Sequence, residues 1–172
     1  MRACEALITN HISFSLALGG NDVVRHPLPA DPLGKASRLL VLEPEDFTAA
    51  DQEVLNGIEA SRRLTSLPDA LRQVSPAVRV ESGAAVRVFP RVARGRAVVH
   101  ILNWDYDPST DTVRSIEQLP VRLDLAKLGV GNATAATLYA PGAEPVRLDV
   151  AGGKALLRHA GLWSILEMKS PN

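Results

Sequence analysis

The chain has 172 residues, of which 46% are hydrophobic and 22% charged, and its formal net charge is zero. This composition is typical of a globular protein, and the length suffices for one domain or two small ones. The neutral balance argues against nucleic acid or an anionic membrane as the main partner. Cys4 is the single cysteine, which excludes an intrachain disulfide and a cysteine-based zinc site.

The sequence also lacks the signals of a membrane or secreted protein. No apolar run approaches the roughly 20 residues that a membrane-spanning helix needs. The first residues, MRACEALITNHISF, have neither the basic start nor the long apolar core of a signal peptide. We therefore expect a cytoplasmic protein without a membrane partner.

Helix and turn signals dominate residues 1–77, which we predict to be a short α/β part. Residues 4–18 predict a helix that runs into a strand, because Phe14, Leu16 and Leu18 alternate. The sequence GGND at 19–22 predicts a turn. The elements expected next are a loop over 26–37, a strand over 38–42, a helix over 49–60, a strand over 63–65 and a helix over 70–74.

From residue 78 the apolar pattern changes to a period of two, which is typical of strands. Turn signals such as Gly152-Gly153 separate the runs. This pattern predicts an antiparallel β-sandwich over residues 78–172, so the fold class is α+β. The predicted strands cover 78–80, 86–92, 98–102, 121–125, 133–139, 146–150, 155–157 and 162–168.

Residues 86–111 form the most informative stretch, because two alternating runs joined by a turn at 93–95 lead into an oxygen-rich loop. The runs predict a β-hairpin. The oxygen-bearing residues at alternate positions of the loop are Asp105, Asp107, Ser109 and Asp111. Their spacing matches the start of an EF-hand loop, but Thr110 replaces the glycine and Ile116 the final glutamate. The loop is predicted either to bind Ca²⁺ or to be a turn in which aspartates accept backbone N–H bonds.

Two histidines are candidate general bases. His100 lies inside an apolar strand, and His11 precedes the predicted turn at 19–22. Each has a structural alternative as a hydrogen-bonded residue of the fold. No serine lies in a G-x-S-x-G motif, so a serine-hydrolase mechanism has no support.

Aromatic residues beside the loop suggest a ligand site. Trp104 and Tyr106 offer aromatic faces that suit the apolar face of a sugar ring, and Asn103 precedes them as a polar binding residue. Trp163, in the last strand, is expected in the core. With two Trp, two Tyr and three Phe in the chain, a broad sugar-binding surface is not expected.

Several motifs resemble the C-terminal β-sandwich appended to some bacterial glycoside hydrolases. These motifs are VRVFPRV at 86–92, VVHILNWDYDPSTD at 98–111, VRLDLAKLG at 121–129 and GLWSILEM at 161–168. RLLVLEP at 38–44, with the helix after Thr48, is similar to the flavodoxin-like (glutamine-amidotransferase-like) domain that precedes that sandwich. The resemblance implies an accessory region without the catalytic (β/α)₈ barrel, which needs about 250 residues. It therefore implies no catalytic residue.

Three functions follow from these patterns. The first is a non-catalytic accessory or interaction module, with apolar surface that favours a homo-oligomer. The second is a Ca²⁺-dependent hydrolase of a small ester, lactone or glycoside, with the Asp105–Asp111 loop as metal site and His100 or His11 as base. The third is a carbohydrate-binding module that uses Trp104 and Tyr106.

Overall fold

The computed structural model describes residues 2–19 and 28–170. Residue contacts divide the chain into two compact units, one of Met1–Ser13 with Pro76–Asn172 and the other of Phe14–Ser75. The first helix, α1 (Arg2–Thr9), therefore belongs with the β-rich unit. The predicted division into 1–77 and 78–172 differs in this respect, because it places the helix in the α/β part.

The unit of Phe14–Ser75 contains a small parallel sheet. Its elements are α2 (Ala30–Lys35), β1 (Leu39–Leu40), α3 (Ala49–Asn56), β2 (Arg63–Leu64) and α4 (Leu67–Gln73), with 3₁₀ turns at Pro44–Asp46 and Ala60–Arg62. β1 and β2 pair in parallel with α3 between them in the chain, so the expected strand–helix–strand order is present in reduced form. No helix of the described residues has the length and apolar character to cross a membrane.

Helix α3 begins at a capping box formed by Thr48 and Asp51. The Thr48 hydroxyl accepts a hydrogen bond from the Asp51 amide at 3.1 Å, and the Asp51 carboxylate accepts one from the Thr48 amide at 3.1 Å. The same carboxylate accepts the Leu28 amide at 2.8 Å. Asp51 is thus buried with its charge satisfied by donors from two segments of the unit.

Two predictions before residue 38 were wrong. Residues 12–19 have no regular structure, and Phe14 is exposed together with Leu16 and Leu18. Alternation makes a strand only where a partner strand completes its hydrogen bonds, and none of the described residues pairs with this segment. The loop predicted over 26–37 contains α2, whose Asp31 and Lys35 form an i,i+4 ion pair at 2.8 Å. Residues 20–22 of the predicted turn lie outside the described residues.

The β-rich unit is an antiparallel β-sandwich, which confirms the predicted α+β fold class. A five-stranded sheet has the order β10-β9-β12-β5-β4, and a three-stranded sheet has the order β11-β8-β3. A short hairpin pairs β6 with β7. The strands are β3 (Val78–Val80), β4 (Val86–Ala93), β5 (Arg96–Asn103), β6 (Tyr106–Asp107), β7 (Thr112–Val113), β8 (Ile116–Leu123), β9 (Ala135–Tyr139), β10 (Val146–Asp149), β11 (Lys154–Ala160) and β12 (Trp163–Lys169).

The sandwich core contains aliphatic side chains from alternate strand positions. Val99 and Ile101 of β5 are buried, as are Val121 of β8, Leu157 of β11 and Leu166 of β12. Because side chains alternate across a strand, the intervening residues of β4, β5, β9 and β12 lie on the outer face of the five-stranded sheet.

The chain passes from one sheet to the other at a glycine turn. Gly152 and Gly153, with φ of +57° and +74°, join β10 of the five-stranded sheet to β11 of the three-stranded sheet. A Cβ on Gly153 would lie 2.5 Å from the Leu123 carbonyl oxygen, whereas one on Gly152 would meet nothing within 4 Å. Gly153 is therefore required both for its conformation and for the close approach of two backbone segments.

Candidate functional site

The oxygen-rich loop is a small hairpin closed by side chains of its own. Asp107 of β6 pairs with Thr112 of β7. Its carboxylate accepts hydrogen bonds from the Ser109 amide at 2.9 Å and the Ser109 hydroxyl at 2.6 Å. These bonds, that from the hydroxyl foremost, lower the pKa of the Asp107 carboxyl. This is the aspartate-stabilised turn that the sequence offered as one of its two alternatives.

The other two aspartates of the loop also have partners. Asp105 forms an ion pair with Arg114 at 2.6 Å, and Asp111 accepts a hydrogen bond from the Tyr106 hydroxyl at 2.8 Å. No group of three or more His, Cys, Asp or Glu side chains in the described ranges is placed to hold a metal ion. The arrangement does not fit a Ca²⁺ site as it stands, because a cation would have to displace the Arg114 guanidinium and the Tyr106 hydroxyl.

Asn103 positions this hairpin from inside the sandwich. Its side chain is 1% exposed. The amide donates to the Arg114 carbonyl at 2.7 Å and to the Ala160 carbonyl at 3.5 Å, and its oxygen accepts the Asp105 amide at 3.0 Å. Asn103, predicted as a binding residue, therefore contacts the two ends of the loop and strand β11.

His11 terminates helix α1. Its φ is +59°, and its amide donates to the Ile8 carbonyl at 2.9 Å. Its Nδ1 accepts the Val80 amide at 3.5 Å. Burial lowers the pKa of the imidazole, so the ring is neutral at neutral pH. Among the described residues no hydrogen bond joins His11 to the Asp105–Asp111 loop, so the structure does not bring these predicted residues together.

His100 lies on the outer face of the five-stranded sheet. Its cross-strand neighbours are Phe89 of β4 and Ile165 of β12, and Ile165 in turn pairs with Tyr139 of β9. The imidazole stacks on the Trp163 indole, with ring centroids 5.8 Å apart and an interplanar angle of 12°. We call these five residues, Phe89, His100, Tyr139, Trp163 and Ile165, the aromatic face. No hydrogen bond between described residues connects His100 to the aspartates of the loop.

Both tryptophans and both tyrosines of the chain are exposed. Tyr139 is 37% exposed and Trp163 40%, so the prediction that Trp163 lies in the core was wrong. The motif LWSILEM is apolar at most positions, so its alternation does not reveal which side is buried. Pairing with β5 and β9 directs Ser164, Leu166 and Met168 inward and leaves Trp163 outside.

Trp104, predicted as a binding residue with Tyr106, is 60% exposed. The Arg87 guanidinium lies over its ring, 4.5 Å from the centroid. This cation–π contact covers one face of the indole. Tyr106 is 53% exposed, and its hydroxyl bonds to Asp111.

Two depressions on the five-stranded sheet share Tyr139. The first, about 310 Å³, is apolar and is lined by Tyr139, Ala140, Pro141, Trp163 and Ile165. The second, also about 310 Å³, has polar walls that include Thr137, Arg147, Glu167 and Lys169. Sequence reasoning missed Tyr139, Arg147 and Glu167, because their significance depends on the register of β9 between β10 and β12.

Glu167 contacts three polar side chains at the polar depression. Its side chain is 10% exposed. One carboxylate oxygen accepts the Tyr139 hydroxyl at 2.9 Å, and the other lies 2.9 Å from Arg96 Nε and 3.2 Å from Lys169 Nζ. The Tyr139 hydrogen bond is the main cause that lowers the pKa of Glu167, and it raises the pKa of Tyr139. At neutral pH an ionised carboxylate therefore holds the phenol in a fixed position.

Comparison with known proteins shows a loose likeness to solved structures and no family match. No family model matches the chain, and no curated protein matches it. Among solved structures, the chain is similar to alpha-L-fucosidase isoenzyme 2 from Paenibacillus thiaminolyticus, with a TM-score of 0.40 and 14% identity. The match covers 62% of this chain and 17% of that chain, so it spans a small part of the fucosidase. This weak structural neighbour is a glycoside hydrolase.

Proposed function

We propose that this chain is a non-catalytic accessory module that binds carbohydrate through the outer face of its five-stranded sheet. The observation that carries the proposal is the exposure of Trp163 and Tyr139 beside an apolar depression on that face. The chain has few aromatic residues, and its sandwich core is built from aliphatic side chains, yet both tryptophans and both tyrosines are exposed. Exposed aromatic rings offer large contact area with little loss of conformational freedom.

The geometry of the aromatic face supports ring stacking. Trp163 is held by its contact with His100, and Tyr139 by its hydrogen bond to Glu167. Both rings are thus oriented before a ligand arrives, which reduces the entropy lost on binding. Trp104 is less suited, since Arg87 already covers one of its faces.

The proposed binding is tested with tryptophan fluorescence. The variant Trp104→Phe leaves Trp163 as the single reporter. We expect a panel of neutral and acidic oligosaccharides to contain at least one that quenches Trp163 emission, with the affinity checked by isothermal titration calorimetry. Trp163→Ala should abolish that binding, whereas Trp104→Ala, the matched loss of an exposed tryptophan, should leave it within about twofold.

Two results would contradict the proposal. One is the absence of binding to every member of the panel. The other is self-association at the concentrations used, seen by sedimentation velocity and abolished by Trp163→Ala, since the aromatic face would then be the contact between copies of the chain. Circular dichroism of Trp163→Ala serves as the folding control.

The hydrolase hypothesis stays a prediction. Among the described residues, no hydrogen bond or ion pair joins a histidine to the aspartates of the loop. A direct assay for Ca²⁺-dependent turnover of ester, lactone and glycoside substrates tests it, and turnover lost in Asp107→Ala would favour it over the accessory module.

A further inference from the structure

The outer face of the five-stranded sheet changes character along its strands. Towards one end lie the residues of the aromatic face. Two residues further along, a row across the sheet joins Arg147 of β10, Thr137 of β9 and Glu167 of β12. The next position of β12 on the same face is Lys169. The apolar depression, lined by aromatic rings, therefore lies next to the polar depression, and Tyr139 lines both.

The charged end has an excess of cations over carboxylates. Among the described residues, Glu167 is the acid that lines the polar depression, and both of its oxygens contact partners, namely Tyr139, Arg96 and Lys169. Its lowered pKa keeps it ionised, so it neutralises one of the two cations beside it.

Arg147 adds a further positive charge to this depression. It is exposed, lines the depression and forms no ion pair with any residue of the described ranges. Asp149 lies two residues along β10 and does not line the depression. A guanidinium in this position is available for a planar carboxylate, which it contacts through two parallel N–H bonds.

We infer that the carbohydrate bound by this face is a uronic acid oligosaccharide, with a sugar ring on Trp163 and Tyr139 and a carboxylate at Arg147 and Lys169. This inference rests on the proposed function. Trp163 and Arg147 are separated by two strand spacings and four residues along the strands, roughly 16 Å between backbone positions, and Tyr139 lies between them. The site thus takes an oligosaccharide rather than a single sugar, and charge complementarity selects the acidic one.

The experiment compares each acidic oligosaccharide with its neutral counterpart. The probes are oligomers of galacturonate, mannuronate and glucuronate, each paired with its methyl ester, which keeps the rings and removes the charge. Affinities are measured by calorimetry at 50 and 200 mM NaCl. We expect at least one uronate to bind on the order of tenfold more tightly than its ester at low salt, and the difference to shrink at high salt.

Two matched variants locate the effect. Arg147→Gln should remove the preference for the uronate by lowering the affinity for the uronate far more than the affinity for the ester. Arg158→Gln makes the same change of charge at an exposed position of β11, in the other sheet, and should retain the preference. Trp163→Ala should abolish binding of both members of a pair.

The outcomes separate the inference from the function on which it rests. Equal binding of uronate and ester would overturn the inference and leave carbohydrate binding in place. A preference that Arg158→Gln reduces as much as Arg147→Gln would also overturn it, because the effect would then be the general charge of the chain. Binding of no probe, with intact folding, would overturn the inference, and the broader neutral panel would then decide the proposed function.

Discussion

The two units of this chain are stabilised in different ways. Among the described residues, the sandwich core contains 21 buried apolar side chains in one cluster, whereas the unit of Phe14–Ser75 contains four. The long sandwich strands span seven or eight residues, and the strands of the smaller unit span two. Apolar burial is thus much more extensive in the sandwich than in the smaller unit. The stability of the two units should therefore respond differently to the same kind of substitution.

The largest effect is expected from a core truncation. Leu157→Ala removes a fully buried side chain from the sandwich and should lower its free energy of unfolding by about 2–5 kcal/mol. Leu55→Ala makes the same change in the smaller unit and should mainly speed amide exchange in α3. Urea denaturation and native-state hydrogen exchange measure both. A single transition shifted equally by both variants would mean that the units unfold together, and would contradict the expected difference between them.

The next largest change in stability is expected from substitutions in the glycine turn between the two sheets. Gly152→Ala and Gly153→Ala both place alanine at positive φ, at a cost of about 1–2 kcal/mol. Only Gly153→Ala adds a clash with the Leu123 carbonyl, about 1–3 kcal/mol more. Thermal melts of the two variants should therefore differ by several degrees. Equal melting temperatures would contradict the close approach of Gly153 to β8.

Asn103 in the sandwich and Asp51 in the smaller unit are both buried polar residues, so the effects of replacing each by alanine can be compared. Asn103→Ala leaves the Arg114 carbonyl and the Asp105 amide without their partner, and should cost about 1–3 kcal/mol in the sandwich. Asp51→Ala does the same to the Leu28 and Thr48 amides of the smaller unit. Hydrogen exchange resolves each loss to its own unit. Lost amide protection in both units from either single substitution would contradict the expectation that each loss stays within its own unit.

A smaller effect is expected from His11 on lowering the pH. Its folded-state pKa lies below the unfolded value of 6.5, so the unfolded chain binds the extra proton more readily. The stabilising contribution is complete above about pH 6.5 and is lost as the pH falls towards the folded pKa. Melts between pH 7.5 and 5 should show a decline that His11→Asn, which tolerates positive φ, removes. An identical decline in the variant would assign the effect to other groups.

The smallest expected effect is that of calcium. The three aspartates of the loop already have partners, so melts with excess EDTA and with millimolar Ca²⁺ should coincide. A ligand at 100 times its Kd would add about 2.7 kcal/mol, a shift of several degrees. Such a shift, lost in Asp107→Asn, would restore the metal site and the hydrolase hypothesis that depends on it.

The sandwich strands were largely predictable because period-two alternation is a local property of the chain. The hairpin of β4 and β5 follows from alternating valines and the glycine at 95. The predicted strand at Phe14 failed because alternation specifies a face but no partner. Helix α2 was missed because proline at 29 and 32 resembles a loop signal although proline is tolerated in the first turn of a helix.

The sequence by itself determined the α+β class, the positions of most strands and the aspartate loop, since each depends on residues close together in the chain. Tertiary structure decided which side of β12 faces water, because both sides of the strand carry apolar residues and the register with β5 and β9 determines which of them is buried. That choice brings Trp163 out of the core. It also gathers Tyr139, Arg147 and Glu167, which lie up to 28 residues apart in the chain, around one site.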